Sequence, residues 1–251
     1  NIGFTRVGLR FTPVVAIGLS LWAGLRPQER VAALAHELGH GKNGDALHGW
    51  VVGSAVRALE EIQLTFAEDP IDEYRLDMLA WYGHGYSNSV ITRFLNLTVG
   101  SAARGTQWLL TRADLRAGQR EEYLADRRAA EIAGSDATAW ALERFELGST
   151  SYRAMEQALR FGSDIEPLEA ATRAVREIPA REIERRIRVS RLRETRSDST
   201  HPPTNLRTKL IRARPTQHPV IELDIDESQA IDKELDEPAQ AVLKELRSAL
   251  R

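Results

Sequence analysis

The run His36-Glu37-Leu38-Gly39-His40 sets two imidazoles four residues apart, with a carboxylate directly after the first. On a helix, side chains at that spacing stand on one face with about 5–6 Å between their Cβ atoms. Both imidazoles can then converge on one Zn²⁺ at about 2.0–2.1 Å each. Glu37 lies one position round from His36, within reach of a water on the metal but not of the metal itself. Zinc lowers the pKa of such a water to about 7, and a neighbouring carboxylate can take its proton as the water attacks a carbonyl. The chemistry this spacing points to is metal-assisted hydrolysis with one zinc per chain.

A catalytic zinc takes three protein ligands and keeps one position open. By residue type, His48 and His84 are candidates for the third. Two helical turns separate His48 from His40, but Gly41 and Gly44 interrupt that helix, and His84 sits in a Gly/Tyr/Ser stretch that reads as a surface loop. Glu122 is the better choice. Arg120-Glu121-Glu122-Tyr123-Leu124-Ala125-Asp126 puts Glu122 and Asp126 four apart on one helical face, and Ala125, Ala129, Ala130 and Ala133 are small enough for a second helix to come close. Two buried carboxylates at this spacing repel one another unless a cation compensates. The plainer reading of the same residues is a solvated acidic face.

The elements that would position these groups can be read from periodicity. Residues 4–22 look strand-like, rich in Val, Ile, Leu and Phe between Gly breaks. Pro27 opens a helix, in which Val31, Leu34, Ala35 and Leu38 follow helical spacing; this apolar stripe should face the core while His36 and His40 point away from it. The helix should stop within the Gly41–Gly44 cluster. Residues 46–66 read as a second helix weakened by Gly49 and Gly53, residues 69–88 as irregular connections around a short helix, and residues 89–111 as mostly apolar but carrying Arg93 and Arg104. A helix over about 119–133 ends at Gly134, and Ser135 or Asp136 caps the next. Residues 136–196 are helical hairpin material broken at Gly148, Gly162 and Pro179, and the piece from Ser197 to Pro219 is loop-like. Beyond it, residues 222–237 hold eight Asp or Glu against the single Lys233. The expected organisation is a catalytic domain over 1–219 and an acidic, partly helical tail over 220–251. Trp22, Trp50, Trp108 and Trp140 read as core or cleft packing.

Three ordered blocks carry a family resemblance: HELGHGKNGD (36–45), EEYLADRRAA (121–130) and STHPPTNLR (199–207). Together they resemble the membrane-associated zinc endopeptidases typified by the HtpX heat-shock protease and the type I CAAX prenyl protease, over roughly residues 1–215. The resemblance implies an α+β, mainly helical, zincin-like fold of the gluzincin type, with a small N-terminal sheet beside the HExxH helix. It implies that His36, His40 and Glu122 are the zinc ligands and Glu37 the general base. Asp126 falls where related enzymes hold a carboxylate that orients the first histidine; such a partner is worth about 10–100-fold in metal affinity or activity. His201 is implied to help hold the oxyanion, a role suited to a side chain made rigid by Pro202 and Pro203. Arg207 is implied to support the substrate or the acidic helix. Two departures stand out. Family members keep an Asn-Ala pair on the substrate-binding edge strand, whereas Asn1-Ile2 lies at the corresponding distance here and takes no assigned role. Family members also place hydrophobic helices between the first two blocks, whereas 46–66 contains Arg57, Glu60 and Glu61. These helices read as ordinary soluble ones, or as amphipathic helices capping the cleft or lying on a membrane surface.

The chain has 251 residues, 42% hydrophobic and 28% charged, with a net charge of -2 and no Cys. That is enough chain for a substantial core, and the balance excludes collagen-like and mainly disordered classes. Thiolate metal sites and disulfides are excluded outright. No apolar run reaches the length of a membrane span. The start at Asn1 reads as a piece of a longer protein, a soluble fragment of a membrane-associated parent with its catalytic part on the cytoplasmic side. The expected partner is a polypeptide substrate, membrane proteins among them, and no nucleic acid. Two other classes compete. One is a metal-bound but inactive scaffold. The other is a helical module that binds anionic lipid or RNA through the seven Arg of 181–196, although Glu182, Glu184 and Glu194 interleave with them and favour a salt-bridged face.

Overall fold

A computed structural model describes residues 2–7, 10–43, 45–65, 86–162, 164–193 and 202–250. The described chain is mainly helical. Ile2–Val7 (β1) and Arg10–Val15 (β2) pair as an antiparallel hairpin, with Ile2 opposite Val15, Thr5 opposite Thr12 and Val7 opposite Arg10. β-Branched and aromatic residues suit a pleated backbone. Pro13 is tolerated in β2 because each strand of a two-stranded pair keeps an open edge. The extended stretch ends there, short of residue 22. Leu19–Gly24 is a helix, α1, whose Leu19 and Ala23 pack on a cluster of Met155, Leu159, Ala171 and Leu243. A short apolar run of this kind has no period that separates strand from buried helix, and packing decides.

Ten further helices follow among the described residues: Pro27–Asn43 (α2), Asp45–Thr65 (α3), Tyr86–Ala133 (α4), Ser135–Phe145 (α5), Gly148–Phe161 (α6), Pro167–Arg176 (α7), Ala180–Arg193 (α8), Thr204–Ala213 (α9), Ile225–Glu234 (α10) and Asp236–Ala249 (α11). The 48-residue α4 joins stretches expected as separate elements. The joining residues 112–118 are helix formers except Gly118, and one interior Gly costs only about 1 kcal/mol. The piece expected to be a loop over 197–219 holds α9, which starts directly after Pro203. Proline fits at a helix start, so the pair Pro202-Pro203 marks an entry and not a loop. No helix among the described residues is long and apolar enough to cross a membrane.

Two compact units result. One comprises Asn1–Ala46 and Gln119–Arg251, the other Leu47–Gly118. Within the second, the Gln63 and Gln107 amides pair and Gln107 also donates to Glu60 at 3.1 Å. Trp108 on α4 is 58% exposed, and in the first unit Trp140 is 46% exposed, so of the two readings, core or cleft packing, the core one fails for both. Where α2, α4 and α5 meet, the core of the first unit is rich in small side chains: Ala32 of α2 lies against Ala133, Ala137 and Ala141, and Ala130 and Ala139 lie against Leu142 and Ile211. Side chains this small let α2, α4 and α5 approach closely. The sharp turn from α4 to α5 falls on Gly134, at φ +92°, where a Cβ would also lie 3.2 Å from Pro219. Gly134 therefore occupies the cap position expected for Ser135 or Asp136. Ser135 instead exchanges hydrogen bonds with Gln217, its N–H donating to the Gln217 carbonyl and its Oγ accepting the Gln217 N–H. The acidic residues 222–237 enter α10 through a reciprocal Asp224/Glu227 capping box, and Leu243 of α11 is buried with Met155.

Candidate metal centre

The inward face of α2 is not the apolar stripe that periodicity picks out. Ala32, Ala35, His36 and Gly39 are buried, whereas Leu38 is 58% exposed. Gly39 decides this. It meets α4 at Ala125, and a Cβ on Gly39 would stand 3.1 Å from the Ala125 Cα. Ala125 and Ala129 are fully buried on the other side of that contact. Residues three apart share a helical face, so the close approach at Gly39 carries His36 into the interface with it. The expectation that His36 points away from the buried face is thus corrected: it belongs to that face. Arg128 of α4 donates to the Gly39 carbonyl at 2.9 Å and ties the same crossing.

At the crossing, Nε2 of His36 and Nε2 of His40 lie 3.2 Å apart, with their rings edge to face. The Glu122 carboxylate of α4 stands 3.5 Å from each, Oε2 toward His36 and Oε1 toward His40. Among the described residues, these three offer ligand atoms all within 4.8 Å of one another. Asp126, one turn further along α4, reaches His36 Nδ1 at 3.1 Å. Arg207 of α9 closes the cage from the other side. Its Nε and Nη2 donate to the two Asp126 oxygens at 2.7 and 2.6 Å, and its Nη1 stands 3.0 Å from Glu122 Oε2. His36, Glu122, Asp126 and Arg207 are all buried.

The electrostatics follow from this crowding. Burial works against the imidazolium of His36, but the Asp126 and Glu122 carboxylates beside it outweigh that and raise its pKa to about 9. Burial likewise disfavours a charged Asp126, yet Arg207 and His36 pull its pKa below the usual carboxylate range. Arg207 is held charged by Asp126 and Glu122 in spite of its burial. Among the described residues the cage sets two carboxylates against one guanidinium, a balance that a proton on His36 or a bound cation would restore.

Of the residues singled out in the sequence, the structure brings together His36, His40, Glu122, Asp126 and Arg207. Glu37 is half-buried on α2, next to His36 in sequence. His201 lies outside the described residues, as does His84; for His48 only the backbone, in α3, is described. Arg207 is paired with Asp126 and Glu122 of the acidic helix, and its Nη2 also stands 3.5 Å from His36 Nε2. Arg128 escaped the sequence reading, although it stands inside the EEYLADRRAA block. A basic residue on the helix that must touch α2 was the signal available. The Arg-rich stretch on α8 is interleaved with acid: Glu182 accepts from both Arg185 and Arg186, and Glu184 stands 3.9 Å from Arg188.

The donor set fits a metal. Ligands at the zinc distance of about 2.0–2.1 Å stand about 3.3 Å apart across a tetrahedral angle; the two Nε2 atoms stand 3.2 Å apart, each has a different Glu122 oxygen at 3.5 Å, and one ligand atom from each of the three residues lies within 4.8 Å of the others. With Asp126 facing Nδ1 of His36, the proton of a neutral imidazole belongs on that nitrogen, which leaves the Nε2 lone pair for a cation.

Comparison with known proteins gives an independent line. The model of peptidase family M48 matches residues 8–215. The chain is 33% identical over 135 residues to the Protease HtpX of Stutzerimonas stutzeri, covering 52% of this chain and 42% of that protein. It is 32% identical over 135 residues to the Protease HtpX of Pseudomonas fluorescens, covering 52% and 41%. The match therefore spans about two fifths of the length of these relatives. No solved structure matches the chain. With a family match that takes in most of its length and encloses the whole His-His-Glu cage, the chain belongs to peptidase family M48.

Proposed function

We propose that this chain is the catalytic part of a zinc-dependent endopeptidase. The observation that carries the reading is the buried convergence of His36, His40 and Glu122 behind an Asp126–Arg207 brace. These three side chains would hold one Zn²⁺. Bound there, zinc supplies a water of pKa about 7 and polarises the scissile carbonyl. Glu37 takes a proton from the attacking water on its carboxylate and passes it to the leaving amine as the C–N bond breaks. Asp126 holds the proton of His36 on Nδ1 and fixes the ring. Arg207 holds Asp126 and Glu122 in place. His201 stabilises the oxyanion.

The hairpin of β1 and β2 is, in this reading, the edge along which an extended substrate lies, completing the α+β zincin arrangement. The chemistry is confined to 1–219, and the acidic segment 220–251 supports it from outside. Substrates are polypeptides, membrane proteins among them. Association of the full-length protein with a membrane, its catalytic part on the cytoplasmic side, is carried by the family resemblance. Elemental analysis of the purified chain should find one zinc per chain, and cleavage of a quenched peptide should stop with a chelator and return with added zinc. Cleavage that survives complete metal removal overturns the proposal.

A further inference from the structure

The two helices that carry the metal cage are joined a second time, away from it, by a segment of chain beyond the stretch that matches the family model. Residues 219–232 leave the end of α4, cross the start of α2 and continue into α10. At the first station, Pro219 packs on Gly134, and the N–H groups of Val220 and Ile221 both donate to the Ile132 carbonyl, at 2.9 and 3.1 Å. At the second, the Gln28 amide of α2 binds three backbone groups: it donates to the Ala133 carbonyl at 2.9 Å and the Ile221 carbonyl at 2.7 Å, and accepts the Leu223 N–H at 3.0 Å. At the third, the buried Arg30 of α2 donates from Nη1 to Ser228 Oγ and to both Asp232 oxygens at 2.8–2.9 Å, while its guanidinium lies over the Trp22 ring. Trp22 Nε1 completes the clasp by donating to Asp232 at 2.9 Å.

We propose that residues 219–232 are a strap that sets the spacing of α2 and α4, and through it the geometry of the metal cage, with Gln28 and Arg30 as positioning residues. The inference rests on the zinc reading above. Its physical basis is that the cage lies at one crossing of two rigid helices. The contact at Gly39 and Ala125 alone would let the helices pivot; the small apolar contact of Ala32 on Ala133 and, two turns away on α2, the strap's hydrogen bonds resist that pivot. Gln28 is the keystone because one side chain engages α2, the last turn of α4 and the strap together.

The test uses the full chain. It has no Cys, so spin labels can be placed at Leu38→Cys on α2 and Arg127→Cys on α4, both exposed positions. The strap is loosened by Gln28→Met, which keeps the side chain's bulk, and by Asp232→Asn, alone and together. Far-ultraviolet dichroism confirms the fold of each variant. The expected result is a broadened or displaced label-to-label distance distribution in the double variant, together with apparent zinc affinity lower by on the order of 10-fold. An unchanged distribution overturns the strap, whatever happens to zinc. A changed distribution with unchanged zinc affinity also overturns it, because the strap would then not reach the cage. Failure of the unsubstituted chain to bind zinc, with a distribution that still responds to the variants, overturns the zinc reading and leaves the strap's hold on the helices standing.

Discussion

Helix α2 buries charge at both of its ends, and the two clusters are built differently. At the N-terminal end, Glu29 accepts from Arg144 and from the Arg26 backbone N–H, both at 2.8 Å, and Arg30 is matched by Asp232. Two acids meet two arginines, and donors answer acceptors. At the other end, among the described residues, Glu122 and Asp126 face Arg207, and two imidazoles direct nitrogens at the same point. Removing charge from water is tolerable only when it is paired and hydrogen-bonded. The first cluster meets that condition from within the protein. Among the described residues, the second meets it with an added proton or metal ion. What separates a structural cluster from a candidate site here is therefore the balance of its charges, not its burial.

The largest expected effect comes from emptying the unbalanced cluster. Glu122→Ala should abolish stoichiometric zinc and, with it, peptide cleavage, read by elemental analysis and a quenched-peptide assay; a variant that keeps a full zinc equivalent would erase the contrast between the two ends. Glu37→Gln sharpens the contrast by separating metal from chemistry: zinc should stay at one per chain while kcat falls about 10²–10⁴-fold, as for loss of a general base. Undiminished cleavage would remove Glu37 from its role. The smallest effect belongs to the balanced end. Glu29→Gln should lower stability by about 1–3 kcal/mol in denaturant titration, since Arg144 loses its charged partner, and leave zinc content unchanged. Glu29→Gln leaves the strap's contacts at Gln28 and Arg30 in place, so a loss of zinc from this variant would mean that the two clusters are not distinct in kind.

Much of the metal site was legible because its spacing is local. His36 and His40, and Glu122 and Asp126, are each four apart, and one helical turn brings such residues together whatever the rest of the chain does. Legibility stopped where faces had to be chosen. Val31, Leu34, Ala35 and Leu38 form a regular apolar stripe, yet Leu38 is exposed and His36 buried, because a glycine-on-alanine contact outweighs a leucine as the seat of a close crossing. The helix α9 was hidden behind Pro202-Pro203, and with it the reason Arg207 points where it does: Arg207, Thr208 and Ile211 form its buried face. The acidic tail was recognisable by composition, but composition says nothing of Gln28, a neutral residue whose three partners are all backbone groups.

The sequence by itself determined the chemical vocabulary of this protein: two imidazoles and a carboxylate in one turn, an acid pair in another, and the helices on which both sit. Those follow from the 3.6-residue period, which acts over a few angstroms of chain. Only the tertiary structure decided that Glu122 meets His36 and His40, that Arg207 braces the acids, and that residues beyond 219 return to clasp α2. Such meetings depend on which surfaces can approach closely, and that is a property of packed pairs of elements, not of any one segment.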